Sequence, residues 1–88
     1  MHNTFQLDII TPSGKVVECS AHYLEIRTPE GSLDILAHHE AMLAKLADGE
    51  ICYRQSYAEH EDTELTRYRV QDAYFSFLGN TATIISAI

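Results

Sequence analysis

The sequence predicts an all-β domain: an antiparallel two-sheet β-sandwich (flattened barrel) of about 8–10 short strands with at most one short helical turn. Apolar and polar residues alternate over many short stretches, which is the period of a half-buried strand. The links between these stretches are too short for parallel crossovers, which need a dozen or more residues. The 88 residues leave room for one domain, residues 1–88.

The first half of the chain contains three strand patterns and two turns of one type. TFQLDII alternates cleanly, and AHYLEIR places His22, Leu24 and Ile26 on one face. SLDIL is the third strand pattern. The turns are TPSG at 11–14 and TPEG at 28–31. In both turns proline presets its own backbone dihedral angle, and glycine relieves the backbone strain of the turn.

The segment HHEAMLAKLA is the one helical candidate, and it offers one or two turns at most. Gly49 follows it and can supply the left-handed residue that ends a helix. We expect Leu43 and Leu46 to be buried in the core. Met42 is the better candidate for a contact with another protein, because its side chain is soft and adaptable.

The second half of the chain continues the strand pattern. EICYRQSY, TELTRYRV, AYFSFL and TATIISAI are predicted strands, and EHED at 59–62 is an acidic turn between the first two. Gly79-Asn80 signals a tight hairpin. The residues expected to be mostly buried are Phe5, Leu7, Leu24, Ile26, Leu33, Ile35, Leu43, Ile51, Phe75, Phe77 and Ile84.

Composition excludes several classes of function. The chain has 6 Lys and Arg against 13 Asp and Glu, a formal charge of -7, so it lacks the cations that nucleic-acid phosphates require. The acid excess suits partners with basic surfaces, or it serves solubility. The apolar runs are too short to span a membrane, and no signal peptide is evident. Cys19 and Cys52 lack CxxC spacing and are expected to be buried reduced thiols.

The motifs of common catalytic sites are absent from the sequence. It has no glycine-rich phosphate loop, HExxH, CxxC pair or GxSxG, so we predict no catalytic, cofactor-binding or metal-binding residues. His38 and His39 are adjacent, and neighbouring residues do not converge on one ion, whereas zinc helices space their ligands at i and i+4. We favour one histidine hydrogen-bonded to the turn and the other in solvent.

Two long stretches carry a resemblance to a known family. FQLDIITPSGKVVE and EIRTPEGSLDILAHHEAMLAKLADGEI resemble the N-terminal β-domain of the epsilon subunit of F-type ATP synthases. The sequence pattern of that family begins with F-x-L-x-I/V-x-T/S-P. It continues with P-x-G-x-L-G-I-L-x-x-H-x-P-L-L, followed after a short gap by a glycine. The chain matches it at Phe5, Leu7, Ile9, Thr11, Pro12, Gly31, Leu33, Ile35, Leu36, His39, Leu43 and Gly49, and FLGNTATIISAI resembles the last hairpin at Asn80, Thr83 and Ile84.

The sequence departs from the family at a few turns. Asp34 replaces the usual glycine, Ala41 the usual proline, and Asp72-Ala73 stand where Gly-Gly is frequent. Relatives commonly continue into a two-helix hairpin that can block ATP hydrolysis, and this sequence stops after the last strand pattern. We therefore expect a protein that ends at Ile88 to couple without inhibiting hydrolysis.

The resemblance implies a rotor component without catalysis of its own. Its β-sandwich would lie at the foot of the central stalk, contacting the gamma subunit with one face and the membrane c-ring with the loops at one end. The implied c-ring contacts are Glu30, Gly31, Ser32 and His39, and the implied gamma contacts are Met42 and Ala44. Glu30 and Glu40 would suit the basic residue of the c-subunit loop. No cofactor is implied.

The resemblance also implies a place in the cell: the cytoplasmic face of the bacterial inner membrane, reached only through the complex. An alternative function is a stand-alone acidic β-sandwich adaptor that binds another protein. An enzyme is the least favoured reading, because no catalytic constellation exists.

Overall fold

The computed structural model describes residues 3–57 and 64–88, and these ranges contain eight strands and no helix. The strands are β1 (Phe5–Thr11), β2 (Gly14–Thr28), β3 (Gly31–Ile35), β4 (Met42–Lys45), β5 (Gly49–Gln55), β6 (Thr66–Val70), β7 (Tyr74–Leu78) and β8 (Thr81–Ile85). The all-β prediction is confirmed. The predicted acidic turn at 59–62, together with His2 and His60, lies outside the described residues.

The strands form one hydrogen-bonded sheet in the order β4-β7-β8-β1-β2-β5-β6, with β3 paired to the far end of β2. All pairs are antiparallel except β1 with β8, which is parallel. The prediction of a purely antiparallel sheet is wrong for that pair. Short links forbid parallel pairing only between consecutive strands, and β1 and β8 have the rest of the fold between them.

The sheet does not close into a barrel, because β4 and β6 each pair with a single neighbour in the described ranges. One face of the sheet carries the buried side chains, with Leu7, Ile9, Leu24, Ile26 and Ile84 all at 0% exposure. No helix of the described residues covers this face, so the sheet must bury it by folding over on itself.

The predicted core is confirmed except at two leucines. Leu33 is 43% exposed and Leu43 is 85% exposed, whereas the other predicted core residues are buried. Leu33 lies on β3, which pairs only with β2 and so has no neighbour on its other side in the described ranges. Leu43 pairs with Ser76, which alternates with the buried Phe75 and Phe77, and it therefore points away from the core.

The segment predicted as a helical turn is a strand instead. Residues 42–45 form β4 and pair with β7, and Gly49 begins β5 rather than ending a helix. Short helices are marginal without packing, and here the ladder of β7 supplies hydrogen bonds that an isolated turn lacks. Leu46 is buried, as predicted, at 1% exposure.

The two predicted TPxG turns and the predicted Gly79-Asn80 hairpin are confirmed. In each TPxG turn the threonine hydroxyl accepts a main-chain hydrogen bond from the residue two positions on, at 3.1 Å from Ser13 to Thr11 and 3.1 Å from Glu30 to Thr28. Gly79 and Asn80 both have φ of 57°, which is the left-handed pair of a type I′ hairpin.

The alternation predicted along β2 breaks at one point. A register shift between Ala21 and Tyr23 places Ala21 in the core together with Leu24, so that His22 is half-exposed. A bulge of this kind inserts one residue and reverses the faces that follow it.

Candidate functional site

Residues 36–41, here called the histidine corner, connect β3 to β4. The His39 amide donates a hydrogen bond to the Leu36 carbonyl at 3.2 Å, which makes the corner a tight turn. His38 has φ of 64°, a left-handed conformation that residues with a side chain seldom adopt. The corner therefore depends on contacts with the rest of the fold to hold its shape.

The β7–β8 hairpin supplies those contacts. The His38 amide donates to Oδ1 of Asn80 at 2.7 Å. The His39 ring lies edge-to-face on Phe77, with centroids 5.8 Å apart, and its Nδ1 donates to the Glu40 carbonyl at 2.8 Å. His38 is exposed. The arrangement matches the expectation of one histidine hydrogen-bonded to the turn and the other in solvent.

The two histidine rings therefore occupy different surroundings, one against Phe77 and one at the surface. In the described ranges, no group of three His, Cys, Asp or Glu side chains is close enough to hold a metal ion. The histidine corner is thus held by internal hydrogen bonds and one ring contact, and it leaves the His38 side chain exposed.

The TPEG turn at 28–31 forms one wall of an open groove. Residues 28–33 line one side of this groove and residues 42–45 line the other. The fold thereby brings Glu30, Gly31 and Ser32, predicted to contact the ring, beside Met42 and Ala44, predicted to contact gamma. His39 does not line the groove. The predicted ring-facing group is thus divided between the groove and the corner.

Glu30 is exposed at the tip of its turn, and within the described residues its carboxylate forms no ion pair. The same holds for Glu40 in the histidine corner. Lys45, the cation of the groove, lies 3.7 Å from Asp72 and over the Tyr74 ring at 4.5 Å. The TPEG turn and the histidine corner, which precede and follow β3, therefore each offer an exposed carboxylate to a partner.

The two predicted gamma contacts point toward the core. Met42 and Ala44 pair with Phe77 and Phe75 and are half-buried. Leu43 lies between them in sequence and points outward at 85% exposure. Leu43 is therefore the apolar residue of β4 that a partner can reach without rearrangement of the core.

Leu43 belongs to an apolar face that the sequence reading missed. The outward residues of β4, β7 and β8 include Tyr74 at 59% exposure, Leu78 at 72% and Ile85 at 54%. Leu43 pairs with Ser76 and Tyr74 pairs with Ile85, so these side chains form adjacent rows. The sequence signal was present in the alternation of YFSFL, where both faces carry apolar residues. We call Leu43, Tyr74, Leu78 and Ile85 the apolar face.

The outer side of β2 and β5 is polar and its groups are paired with one another. The Cys52 thiol donates to Glu25 at 3.2 Å, and burial together with Glu25 raises its pKa. The Tyr23 hydroxyl donates to Asp34 at 2.9 Å, and burial followed by that bond raises the pKa of Tyr23 to about 12. A thiol with a raised pKa is a poor nucleophile at neutral pH.

Cys19 resembles Cys52 in chemistry and differs from it in exposure. Both cysteines are free, and Cys52 is buried as predicted, whereas Cys19 is only half-buried. Burial, with a smaller effect of Asp8, raises the pKa of the Cys19 thiol as well. Neither thiol has the lowered pKa of a catalytic cysteine.

Comparison with known proteins places nearly the whole chain in one family. Residues 4–87 match the family described as ATP synthase, Delta/Epsilon chain, beta-sandwich domain. The ATP synthase epsilon chain of Lactiplantibacillus plantarum is 36% identical over 80 residues, which is 91% of this chain and 54% of that protein. The sodium ion specific epsilon chain of Propionigenium modestum is 36% identical over 56 residues, or 64% of this chain and 41% of that protein.

Two solved assemblies contain chains of the same fold. A chain of the Euglena gracilis mitochondrial ATP synthase, solved as OSCP/F1/c-ring, superposes with a TM-score of 0.82 at 18% identity, covering 100% of this chain and 53% of that one. A chain of the Tetrahymena thermophila mitochondrial ATP synthase central stalk/c-ring gives 0.77 at 18% identity, covering 94% and 63%. At this identity the likeness shows the fold.

The described residues form no helix long and apolar enough to cross a membrane. The chain spans about half the length of the Lactiplantibacillus relative and of a second epsilon chain, from Lactobacillus helveticus, of which it covers 55%. The match over residues 4–87 extends from before β1 to beyond β8 and so includes every strand described above. This chain belongs to the delta/epsilon-chain β-sandwich domain family of ATP synthases.

Proposed function

We propose that this chain is a central-stalk (rotor) subunit of an F-type ATP synthase, which links the gamma subunit to the membrane c-ring and has no catalysis of its own. The observation that carries the proposal is the family match over residues 4–87, with 36% identity to the Lactiplantibacillus epsilon chain. The two free surfaces described above, one acidic and one apolar, give such a linker two separate places to bind.

The proposed c-ring contact consists of the TPEG turn, Ser32 and the histidine corner, here together called the acidic end. It includes Glu30, Gly31, Ser32 and His39, of which the first three are exposed and His39 is half-exposed. The exposed carboxylates of Glu30 and Glu40 would complement a basic loop on the ring. Charges at the rim of an interface mainly set orientation and association rate, so the contact is expected to weaken as salt increases.

The apolar face is the proposed gamma contact. Leu43, Tyr74, Leu78 and Ile85 are each more than half exposed, and apolar side chains clustered in this way mark interaction surfaces. Met42 and Ala44 stay in the proposal as residues that support Leu43 from the core side. A partner that covers the apolar face gains its binding energy mainly from burial of apolar area.

The mechanism of such a subunit is mechanical. The two-sheet arrangement predicted from the sequence is part of the proposal, because two packed layers around one core resist shear better than a single sheet. Torque would pass from the ring through the acidic end into the core and out through the apolar face. The proposed location is the cytoplasmic face of the bacterial inner membrane, reached by way of the complex.

Three variants test the proposal. Glu30→Lys reverses the charge at the acidic end, and binding to purified c-ring at low salt is expected to fall about 3–10-fold. Leu43→Glu places a charge on the apolar face, and binding to gamma is expected to fall about 10-fold or more. Glu18→Lys is the matched control, because Glu18 is exposed on β2 and lies ten residues along that strand from Thr28 at the TPEG turn.

Each variant should affect one partner and spare the other, and the control should spare both. A chain that binds neither the ring nor gamma would contradict the proposal and would favour the stand-alone adaptor. Equal loss with Glu30→Lys and Glu18→Lys would show that net charge, rather than the TPEG turn, governs ring binding.

A further inference from the structure

Asn80 joins three parts of the chain that are distant in sequence. Its Oδ1 accepts the His38 amide at 2.7 Å, and its Nδ2 donates to the Thr4 carbonyl at 2.8 Å. Its own carbonyl accepts the Gln6 amide at 3.1 Å. One side chain therefore connects the histidine corner to the start of β1 through the tip of the β7–β8 hairpin.

The histidine corner requires such a connection. His38 has φ of 64°, and a residue with a side chain stays in this region only where its surroundings determine it. Inside the corner, the bond from the His39 amide to the Leu36 carbonyl closes the turn without attaching it to the sheet. The attachment comes from Asn80 and from the contact between His39 and Phe77.

Asn80 is itself held on its other side. Its φ of 57° belongs to the hairpin turn that it forms with Gly79, and the Thr4 carbonyl orients its amide group. Both polar atoms of the side chain are hydrogen-bonded within the domain, and the residue is half-buried. Asn80 is thus poorly suited to contact a partner and well suited to fix the residues that do.

We propose that Asn80 is a positioning residue: its carboxamide fixes the histidine corner against β1 and thereby holds His39 in place for the c-ring contact. The inference has a binding half and a structural half. The binding half, that Asn80 holds His39 in place for the c-ring, rests on the proposed function. The structural half, that the carboxamide holds the histidine corner, concerns the free protein and does not depend on the proposed function. Asn80 acts through His38 and His39 and touches no partner itself.

Two substitutions at Asn80 separate this role from general stability. Asn80→Gly keeps the left-handed turn free of strain and removes both side-chain hydrogen bonds. Asn80→Asp retains an oxygen for the His38 amide and the tolerance of a positive φ, but it loses the donor to Thr4. Thr11→Val is the matched control, since it also deletes two side-chain hydrogen bonds, one to the Gly14 carbonyl and one from the Ser13 amide, in the distant TPSG turn.

The first measurement uses amide hydrogen exchange on the free protein, followed by NMR. Asn80→Gly is expected to speed exchange of the His38 amide about 10-fold beyond any change at buried amides of β1. Thr11→Val should leave the His38 amide at the rate that global stability sets, whereas Asn80→Asp, which keeps the acceptor but loses the bond to Thr4, is expected to fall between Thr11→Val and Asn80→Gly. If His38 exchange in Asn80→Gly follows the β1 amides alone, Asn80 does not hold the corner and the inference is overturned.

The second measurement is binding to purified c-ring at low salt. Asn80→Gly is expected to lower affinity about 10-fold and Asn80→Asp by less, whereas Thr11→Val should stay within about 2–3-fold of the unchanged protein. Unchanged affinity in Asn80→Gly would overturn the binding half. If the unchanged protein itself does not bind the ring, the proposed function fails, and the exchange measurement still decides whether Asn80 positions the corner.

Discussion

Phe77 offers a direct test of how the core and the histidine corner are joined. Its ring is 1% exposed and makes two edge-to-face contacts, with Phe5 at 5.9 Å and with His39 at 5.8 Å. Phe75 is a natural control on the same strand: it is also 1% exposed and faces the same core. Among the described residues, Phe75 has no ring partner. Replacing each by leucine leaves an apolar side chain and removes the ring.

The two substitutions share the loss of packed volume, and they differ in the ring contacts. Each edge-to-face pair contributes about 0.5–1.5 kcal/mol beyond its buried area. His39 is half-exposed, so its pair belongs at the low end of that range. Phe77→Leu is therefore expected to destabilise the domain by about 1–2 kcal/mol more than Phe75→Leu. A domain of this size has roughly 4–13 kcal/mol of stability, so the difference is measurable.

The assay is urea unfolding followed by far-UV circular dichroism, with unfolding slopes compared to confirm that the same transition is measured. In thermal unfolding the same difference corresponds to roughly 4–16 °C in Tm. A double-mutant cycle with His39→Leu isolates the His39 pair, for which we expect about 0.5–1 kcal/mol of coupling. Equal destabilisation by Phe77→Leu and Phe75→Leu would refute the reasoning from ring geometry.

Two further predictions concern backbone strain and pH. Gly31→Ala should destabilise the domain by about 1–3 kcal/mol, because φ is 132° there and alanine is strained in that conformation. An added Cβ would meet no neighbouring atom, so backbone strain is the whole of the expected effect. The exposed control Ser32→Ala should stay within about 0.5 kcal/mol in the same urea assay. Burial and then Glu25 raise the pKa of Cys52 above its ordinary 9.0, so stability is retained below about pH 9 and lost as the pH rises further, because the unfolded thiol ionises first. Urea unfolding between pH 8 and 10 should show a smaller alkaline loss in Cys52→Ala; an equal loss would assign the effect to other groups.

Local chemistry was enough to predict the turns and most of the strands. In each TPxG turn the needed groups are contiguous: a threonine hydroxyl, a proline that presets φ, and a glycine for the positive φ. Gly79-Asn80 is similarly self-contained. The alternation of β1 and β7 also predicted which of their residues are buried, because successive side chains of a strand face opposite ways. The family resemblance rested on the same residues, and the match over 4–87 confirmed it.

The histidine corner and the segment after it were decided by residues far away in sequence. The corner is fixed by Asn80 and Phe77, and residues 42–45 became a strand because β7 was available to pair with them. The same register turned Leu43 outward, against its predicted burial, and turned Met42 inward. The pattern of a short apolar segment does not distinguish a helix from a strand, so the strand available to pair with the segment decides its secondary structure.

The sequence by itself determined the all-β class, the turn positions and the family of this protein, because each depends on residues close together in the chain. The tertiary structure alone decided the parallel pairing of β1 with β8, the open edges of the sheet and the apolar face. The alternation of apolar and polar residues shows which residues of one strand share a face. It carries no information on which other strand lies next to that strand. Pairing between distant strands depends on how all of them together bury one face.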